Sequence, residues 1–249
     1  MDQDFEFSGD IDLDIDQVLK DNVVVTWSGG PDSTGLIRLL LENFSCNIHP
    51  IFIYRHQTNY KFEKKSVTHY EEFFLNDKTF NKRFNEVFEV EIISPPGKIR
   101  AFKDGSEYKL RNSDILNQGV RLALHRKINT VLLATFDNEN LHGDGSKKYL
   151  EAKTLEVREG TGNDQFVICS PFHFQPKFPK TKTELFQKCK ELNFDLSKTR
   201  SCYGGAQLHC GTCEGCTNRN MAFKETQADP TQYQAIPDTV FGHRPEKAR

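Results

Sequence analysis

Several absences narrow the field before any motif is read. No apolar run reaches the roughly 20 residues that a membrane-spanning helix needs. The acidic N-terminus has neither the basic start nor the apolar stretch of a secretion leader, so a cytoplasmic protein without a membrane partner is expected. Basic excess is also missing: 33 Lys and Arg face 35 Asp and Glu, for a formal net charge of −2. A chain whose main task is to hold nucleic acid advertises positive charge, and nucleic acid is therefore not an expected partner. Finally, the chain shows no internal repeat and no low-complexity tract. With 37% hydrophobic and 27% charged residues over 249 positions, it can build one large α/β domain with an appendage, or two small domains.

Seven cysteines are present. An odd number without a secretion signal argues against a disulfide framework. Cys46, Cys169 and Cys189 are scattered over apolar elements and read as small buried hydrophobes. Cys202, Cys210, Cys213 and Cys216 are clustered, and Gly204, Gly205, Gly211 and Gly215 let the backbone wrap tightly between them. Four soft ligands with no open position suit a structural Zn²⁺ site. A four-iron cluster takes four thiolates as well, and the spacing leaves both open. His209, next to the cluster, reads as a solvated loop residue.

Apolar runs over 23–27, 48–54, 87–93, 130–135 and 166–170 predict strands. Helical periodicity predicts helices following residue 31 and over 62–77 (with Phe62, Tyr70, Phe73 and Phe74 inward), 112–127, 147–157 and 181–192. Pro95-Pro96-Gly97 stops the third strand, and residues 136–147, rich in Asn, Asp and Gly, read as a loop. Strands alternating with helices give a doubly wound parallel sheet, whose ligands bind at the C-terminal strand ends. Residues 1–22 form an acidic arm in which Phe5, Phe7, Ile11, Leu13 and Ile15 alternate with polar residues, the period of an edge strand or hairpin. The expected organisation is the arm at 1–22, a nucleotide-binding domain at 23–197 and a metal-binding segment at 198–249.

Between the first strand and its helix lies Ser28-Gly29-Gly30-Pro31-Asp32-Ser33. Gly29 and Gly30 permit close approach of backbone N–H groups to a phosphate, and the following helix adds its N-terminal dipole. Ser28 and Ser33 add hydroxyl donors. Asp32 repels phosphate, so its sensible role is to hold Mg²⁺ against it. No Gly-Lys-Ser/Thr follows, which separates the loop from a Walker motif. It resembles the S-G-G-x-D-S signature of the PP-loop ATP pyrophosphatases (adenine nucleotide alpha hydrolase-like fold), which cleave ATP to AMP and pyrophosphate.

The resemblance narrows at Thr199-Arg200-Ser201-Cys202-Tyr203, Cys210-Gly211-x-Cys213-x2-Cys216, Arg219 and Ala222-Phe223. Together with the loop at 28–33, Arg111-Asn112 and Lys182-Thr183-Glu184, these are similar to the QueC family over roughly 22–226. That resemblance implies a ligase that adenylates 7-carboxy-7-deazaguanine with ATP and Mg²⁺, lets ammonia displace AMP to give an amide, and uses a second ATP to dehydrate the amide to a nitrile. It implies zinc on the four cysteines and a homodimer. It places Arg55 and His56, in Tyr54-Arg55-His56-Gln57-Thr58-Asn59, where the family carries a Gly-Gln-Arg-His substrate segment. It places Asp144, in His142-Gly143-Asp144-Gly145, where an acid meets the base; a plain turn aspartate is the alternative. Lys182 neutralises phosphate charge or is a solvated helix-start lysine. Arg111 contacts phosphate or substrate, or forms a surface ion pair. QueC-like proteins also occur in antiviral operons of the CBASS type, which implies a protein amine as a second acceptor. A tRNA-thiolating enzyme and a non-catalytic ATP-binding scaffold complete the alternatives.

Overall fold

The computed structural model describes residues 11–93, 110–136, 143–226 and 229–235. Five strands are all parallel: β1 (Asn22–Thr26), β2 (Asn47–Tyr54), β3 (Phe88–Glu91), β4 (Thr130–Leu132) and β5 (Val167–Cys169), in the order β3-β2-β1-β4-β5. β1 is central, and Val23, Val24 and Val25 are fully buried. Side-chain alternation sends Val23 and Val25 into one core and Val24 into the other. The near-continuous apolar run of β1 follows from its being covered on both faces.

The helices are α1 (Ile15–Val18), α2 (Pro31–Asn43), α3 (Tyr60–Asn76), α4 (Arg111–His125), α5 (Lys147–Thr161), α6 (Lys182–Glu191) and α7 (Glu214–Thr226). Core residues of α2, α3 and α6 pack with Val23 and Val25, and those of α4 and α5 pack with Val24. The strand order reverses at β1 and β4, so the crevice above their C-terminal ends is the switch point where such sheets bind ligands. Among the described residues, no helix is long and apolar enough to cross a membrane.

Several expectations change. Part of the arm is helical, not extended: Asp14 caps α1 by accepting from the Asp16 N–H at 3.0 Å, and Ile15 and Leu19, one turn apart, enter the core. The first ten arm residues, Pro95-Pro96-Gly97 and loop positions 137–142 lie outside the described residues. Tyr70 and Phe74 of α3 point inward as expected and Phe62 is half-buried, but Phe73 is 41% exposed, meeting Phe74 edge-on and Phe194 at a tilt. The apolar run at 130–135 forms a strand over its first three residues, and one more bond, from the Leu133 N–H to the Cys169 carbonyl at 3.1 Å, closes the ladder. Beyond them Thr135 turns aside, its N–H donating to the Ser170 Oγ at 3.2 Å and its carbonyl accepting from the same hydroxyl at 2.7 Å.

α7 has no counterpart in the periodicity. It docks on α6 through an edge-on contact of Phe186 and Phe223, ring centroids 4.7 Å apart, and carries Ala222 and Phe223 into the main core. Cys46, Cys169 and Cys189 are buried as expected. Burial pushes their thiols up to about 11, 12 and 12, which makes them inert at neutral pH.

Candidate functional site

The loop after β1 is built to hold its backbone open. Trp27 is buried and donates its indole N–H to the Thr34 hydroxyl at 2.9 Å, fixing the turn against α2. The Ser28 and Ser33 hydroxyls lie 3.1 Å apart. Ser33 Oγ accepts from the Ser28 N–H at 3.2 Å, and Ser28 Oγ accepts from the Gly30 N–H at 3.2 Å. Pro31 starts α2 at a position that needs no N–H.

Gly29 has φ +73°, and a Cβ there would lie 2.6 Å from the Glu63 carbonyl oxygen. Both left-handed backbone and absent side chain are therefore required. Gly29→Ala is expected to destabilise the protein by about 2 kcal/mol, read as a shift in urea midpoint, because the clash is with helix backbone rather than with a movable side chain.

Above the loop lies a cavity of about 230 Å³. Ser28, Gly30, Asp32 and Ser33 form one side. Ile51, Phe52, Ile53 and Arg55 come from β2 and its exit. Leu133, Ala134 and Thr135 follow β4, and Arg111, Asn112 and Ile115 come from α4. Glu63 of α3 and Lys182 of α6 complete the ring, together with Arg200, Ser201, Tyr203 and Gly215 from the cysteine segment. Lys182 Nζ stands 3.2 Å from Asp32 Oδ2, so the helix-start lysine meets the loop acid across the cavity rather than lying in solvent.

Arg111 and Arg55 also line the cavity. His56 and Asp144 do not. His56 sits at φ +56° with its ring against Tyr54 and its Nε2 2.8 Å from the Glu91 carboxylate at the sheet edge. Asp144 is buried, and its two oxygens accept from the Asn112 backbone N–H at 2.8 Å and side-chain amide at 3.3 Å. It supplies an acceptor and a negative charge to the start of α4, whose own N-cap, Leu110, makes no side-chain cap bond. Its contribution to the cavity is thus to fix the turn that presents Arg111.

Among the lining residues that carried no role in the sequence are Glu63, Arg200, Ser201 and Tyr203. Burial raises the Glu63 carboxyl above its ordinary range, opposed by hydrogen bonds from Gln57 and Asn59 and by the charges of Arg55 and Arg111. Gln57 Nε2 donates to one Glu63 oxygen at 2.6 Å and Asn59 Nδ2 to the other at 2.9 Å. The legible signal was Asn59 and Glu63 one helical turn apart, although a helix-start glutamate ordinarily reads as a dipole partner. The guanidinium of Arg200 donates to the carbonyls of Cys202, Gly204, Ala206 and Gln207 and lies over the Phe62 ring, while its backbone N–H donates to the Gly29 carbonyl at 2.9 Å.

The sulfurs of Cys202, Cys210, Cys213 and Cys216 lie within 4.8 Å of one another. The Cys210–Cys216 and Cys213–Cys216 sulfurs are 3.8 and 3.4 Å apart. A tetrahedral ion bound at about 2.3 Å separates its sulfurs by about 3.8 Å. A cluster interposes its own irons and sulfides and needs a wider cage, so the donor set fits one soft ion.

Backbone N–H groups of Gly204 and Cys210 donate to Cys202 Sγ, and that of Cys213 to Cys210 Sγ, the arrangement that stabilises thiolates. Hydrogen bonds from the Cys213 and Cys216 thiols, then these N–H groups, hold the Cys202 thiol far below its ordinary range against burial. A Cβ on Gly215 would meet the Ser201 carbonyl oxygen at 2.1 Å, so α7 starts flush against the cavity wall. His209 is 9% exposed, contrary to the solvated reading. Burial, then Arg219 and Arg200, lower it to about 4, and its neutral Nε2 accepts from the Ser201 N–H. Behind it Arg219 is fully buried, with its guanidinium donating to Thr231, Thr199, Ser201 and the carbonyls of Leu196 and Ser197.

A family model described as queuosine biosynthesis protein QueC matches residues 22–227. A 7-cyano-7-deazaguanine synthase of Methanosphaera stadtmanae is 33% identical over 90 residues, covering 36% of each chain. Another, of Rickettsia rickettsii, is 25% identical over 241 residues, covering 86% of this chain and 100% of that one. The chain spans between 36% and 54% of the length of three curated relatives with that name. Among solved structures, the U34-tRNA thiolase NcsA from Methanococcus maripaludis with its 4Fe-4S cluster is similar over 72% of this chain and 59% of that one, at 14% identity and a TM-score of 0.39.

Proposed function

The chain belongs to the QueC family, and on that premise we propose that it is an ATP-dependent carbon–nitrogen ligase that adenylates 7-carboxy-7-deazaguanine and passes the acyl group to ammonia, first as the amide and, after a second ATP, as the nitrile. The observation that carries this reading is convergence. The phosphate loop, Lys182, Arg111 and the wall of the cysteine segment meet over one cavity at the switch point of the sheet.

The chemistry has a physical logic. A carboxylate is a poor electrophile because its leaving group would be oxide. Attack of a carboxylate oxygen on the α-phosphorus of ATP forms a mixed anhydride and releases pyrophosphate, and the acyl carbon then has AMP as a good leaving group. The loop N–H groups and the α2 N-terminus are placed to take the pyrophosphate, with Ser28 and Ser33 donating to it. The oxygen donors of Asp32, Ser28 and Ser33 suit a hard cation, and they would hold Mg²⁺, which would supply charge neutralisation between phosphates. Lys182 would then exchange its carboxylate partner for phosphate oxygen, and Arg111 and Arg55 would face the anionic ends of the two substrates. The aromatic face of Tyr203 suits a flat heterocycle. Zinc is the ion we assign to the four thiolates, in a closed structural role.

The test is direct. Purified, metal-loaded protein incubated with 7-carboxy-7-deazaguanine, ATP, Mg²⁺ and ammonium should release AMP and pyrophosphate and yield a product with the mass of the nitrile. Accumulation of the amide alone would mean that the enzyme stops after one activation round. Acid returned unchanged would exclude the reading. A mass increase on a protein incubated alongside, without free nitrile, would move the acceptor to a protein amine.

A further inference from the structure

The charge around the cavity is lopsided. Arg55, Arg111, Lys182 and Arg200 line it against two carboxylates, Asp32 and Glu63. Cations suit ATP and a carboxylate substrate, but they repel the third reactant. An amine acceptor, whether ammonium or a lysine side chain, is protonated near neutral pH. It therefore arrives as a cation with no lone pair to attack with. Something in the cavity has to attract it and take its proton.

Asp32 stands in the phosphate loop with Lys182 3.2 Å away. Glu63 is placed otherwise. It projects from α3 within the electrostatic reach of Arg55 and Arg111, and Gln57 and Asn59 grip one oxygen each at 2.6 and 2.9 Å. Amide donors on both oxygens orient the carboxylate and favour its charged form, and a carboxylate with about four acceptor positions keeps capacity for a third donor. Asn59 Nδ2 also donates to the Cys202 carbonyl at 3.0 Å, so Glu63 is registered against the cysteine segment as well as against its own helix. Burial, which raises its proton affinity, suits a base that has to accept a proton from an ammonium.

We propose that Glu63 is the catalytic carboxylate that draws the protonated amine into the cavity and takes its proton. The proposal rests on the adenylation reading above. Glu63 accepts one proton from the ammonium nitrogen, and the freed lone pair attacks the acyl carbon of the adenylate. The C–N bond forms, and the C–O bond to the AMP phosphate breaks with its electron pair leaving on AMP. The nitrogen, still carrying one proton too many for an amide, loses it to solvent, and Glu63 returns its own proton to solvent before the next cycle. The same steps serve a lysine ammonium.

Two rates separate this role from others. Adenylate formation is read as exchange of labelled pyrophosphate into ATP in the presence of 7-carboxy-7-deazaguanine, and acyl transfer as single-turnover amide formation with ammonium chloride. Glu63→Gln should lower the ratio of amide formation to exchange by about 10²-fold near pH 7. That deficit should narrow as pH approaches about 9 to 10, where free amine needs no base, and Glu63→Asp should restore part of it. A deficit equal at all pH values, or a loss of exchange as large as the loss of amide formation, would overturn the proposal and leave Glu63 a positioning residue. A wild-type protein with no acid-dependent exchange would instead overturn the adenylation reading, and the role of Glu63 with it.

Discussion

Asp32→Asn should lower acid-dependent ATP–pyrophosphate exchange by about 10²- to 10³-fold while leaving the thermal unfolding midpoint within a few degrees of wild type. The size of each effect follows from where the carboxylate sits. Asp32 is in the first turn of α2, and its loss as a dipole partner costs about 0.3–1 kcal/mol. Its ion pair with Lys182 is 25% exposed on the acid side and 15% on the lysine side, but both residues open onto the cavity, where solvent hydrates the lysine left without this partner and keeps the cost small. Asparagine keeps the volume and one acceptor oxygen. What it removes is the negative charge that the proposed Mg²⁺ needs in order to sit among phosphates. A large loss of rate beside a small loss of stability is thus the signature of a charge used in chemistry. If the pair only ties α6 to the loop, Asp32→Asn and Lys182→Met will slow exchange similarly and by less than tenfold.

Removing the proposed zinc should have the largest effect of all. Dialysis against a strong chelator, or Cys213→Ser, is expected to lower the melting midpoint by 10 °C or more and to abolish adenylation together with acyl transfer. Structural zinc contributes roughly 10–16 kcal/mol of apparent binding energy in small folded units. In a chain of this size about 1 kcal/mol corresponds to about 2–4 °C, so about half of that energy is enough to reach the threshold. Activity falls with stability because the segment is part of the cavity: Ser201, Tyr203 and Gly215 line it, and the Arg200 N–H donates to the Gly29 carbonyl. The check is zinc content by plasma emission, a melt and exchange on the same sample, followed by re-addition of zinc. A chelated protein that keeps its midpoint and its exchange rate would show that the cysteines hold the segment without an ion.

The inner strands were legible because they are buried on both faces, whereas the edge strand β3 is largely exposed. Val23-Val24-Val25 can be little else, and the glycines and Asp32 that follow name the loop. Parts of the site were hidden for definite reasons. α7 has no apolar period, since its buried face carries Cys216, Arg219 and Asn220. Those residues are buried by sulfur clustering and hydrogen bonding, which hydropathy does not register. His209 looked solvated for the same reason. Asp144 was recognisable as an acid in a turn, but its partner, the Asn112 N–H, is set by tertiary structure. Glu63 on a helix looks like any surface glutamate until Gln57 and Asn59 are seen to hold it.

The carbonyl of Gly29 accepts from the Ser66 hydroxyl at 2.7 Å and from the Arg200 N–H at 2.9 Å. Those two donors leave the ribosome at very different times. The nascent chain can pair β1 with β2 and lay down α3 early, but the nucleotide loop is left half-tethered until residue 200 and the cysteines behind it have been translated and folded. On the proposed function, the loop is therefore ready for nucleotide only once the cysteine segment has folded against it, so that a chain cut before residue 200 would not squander ATP.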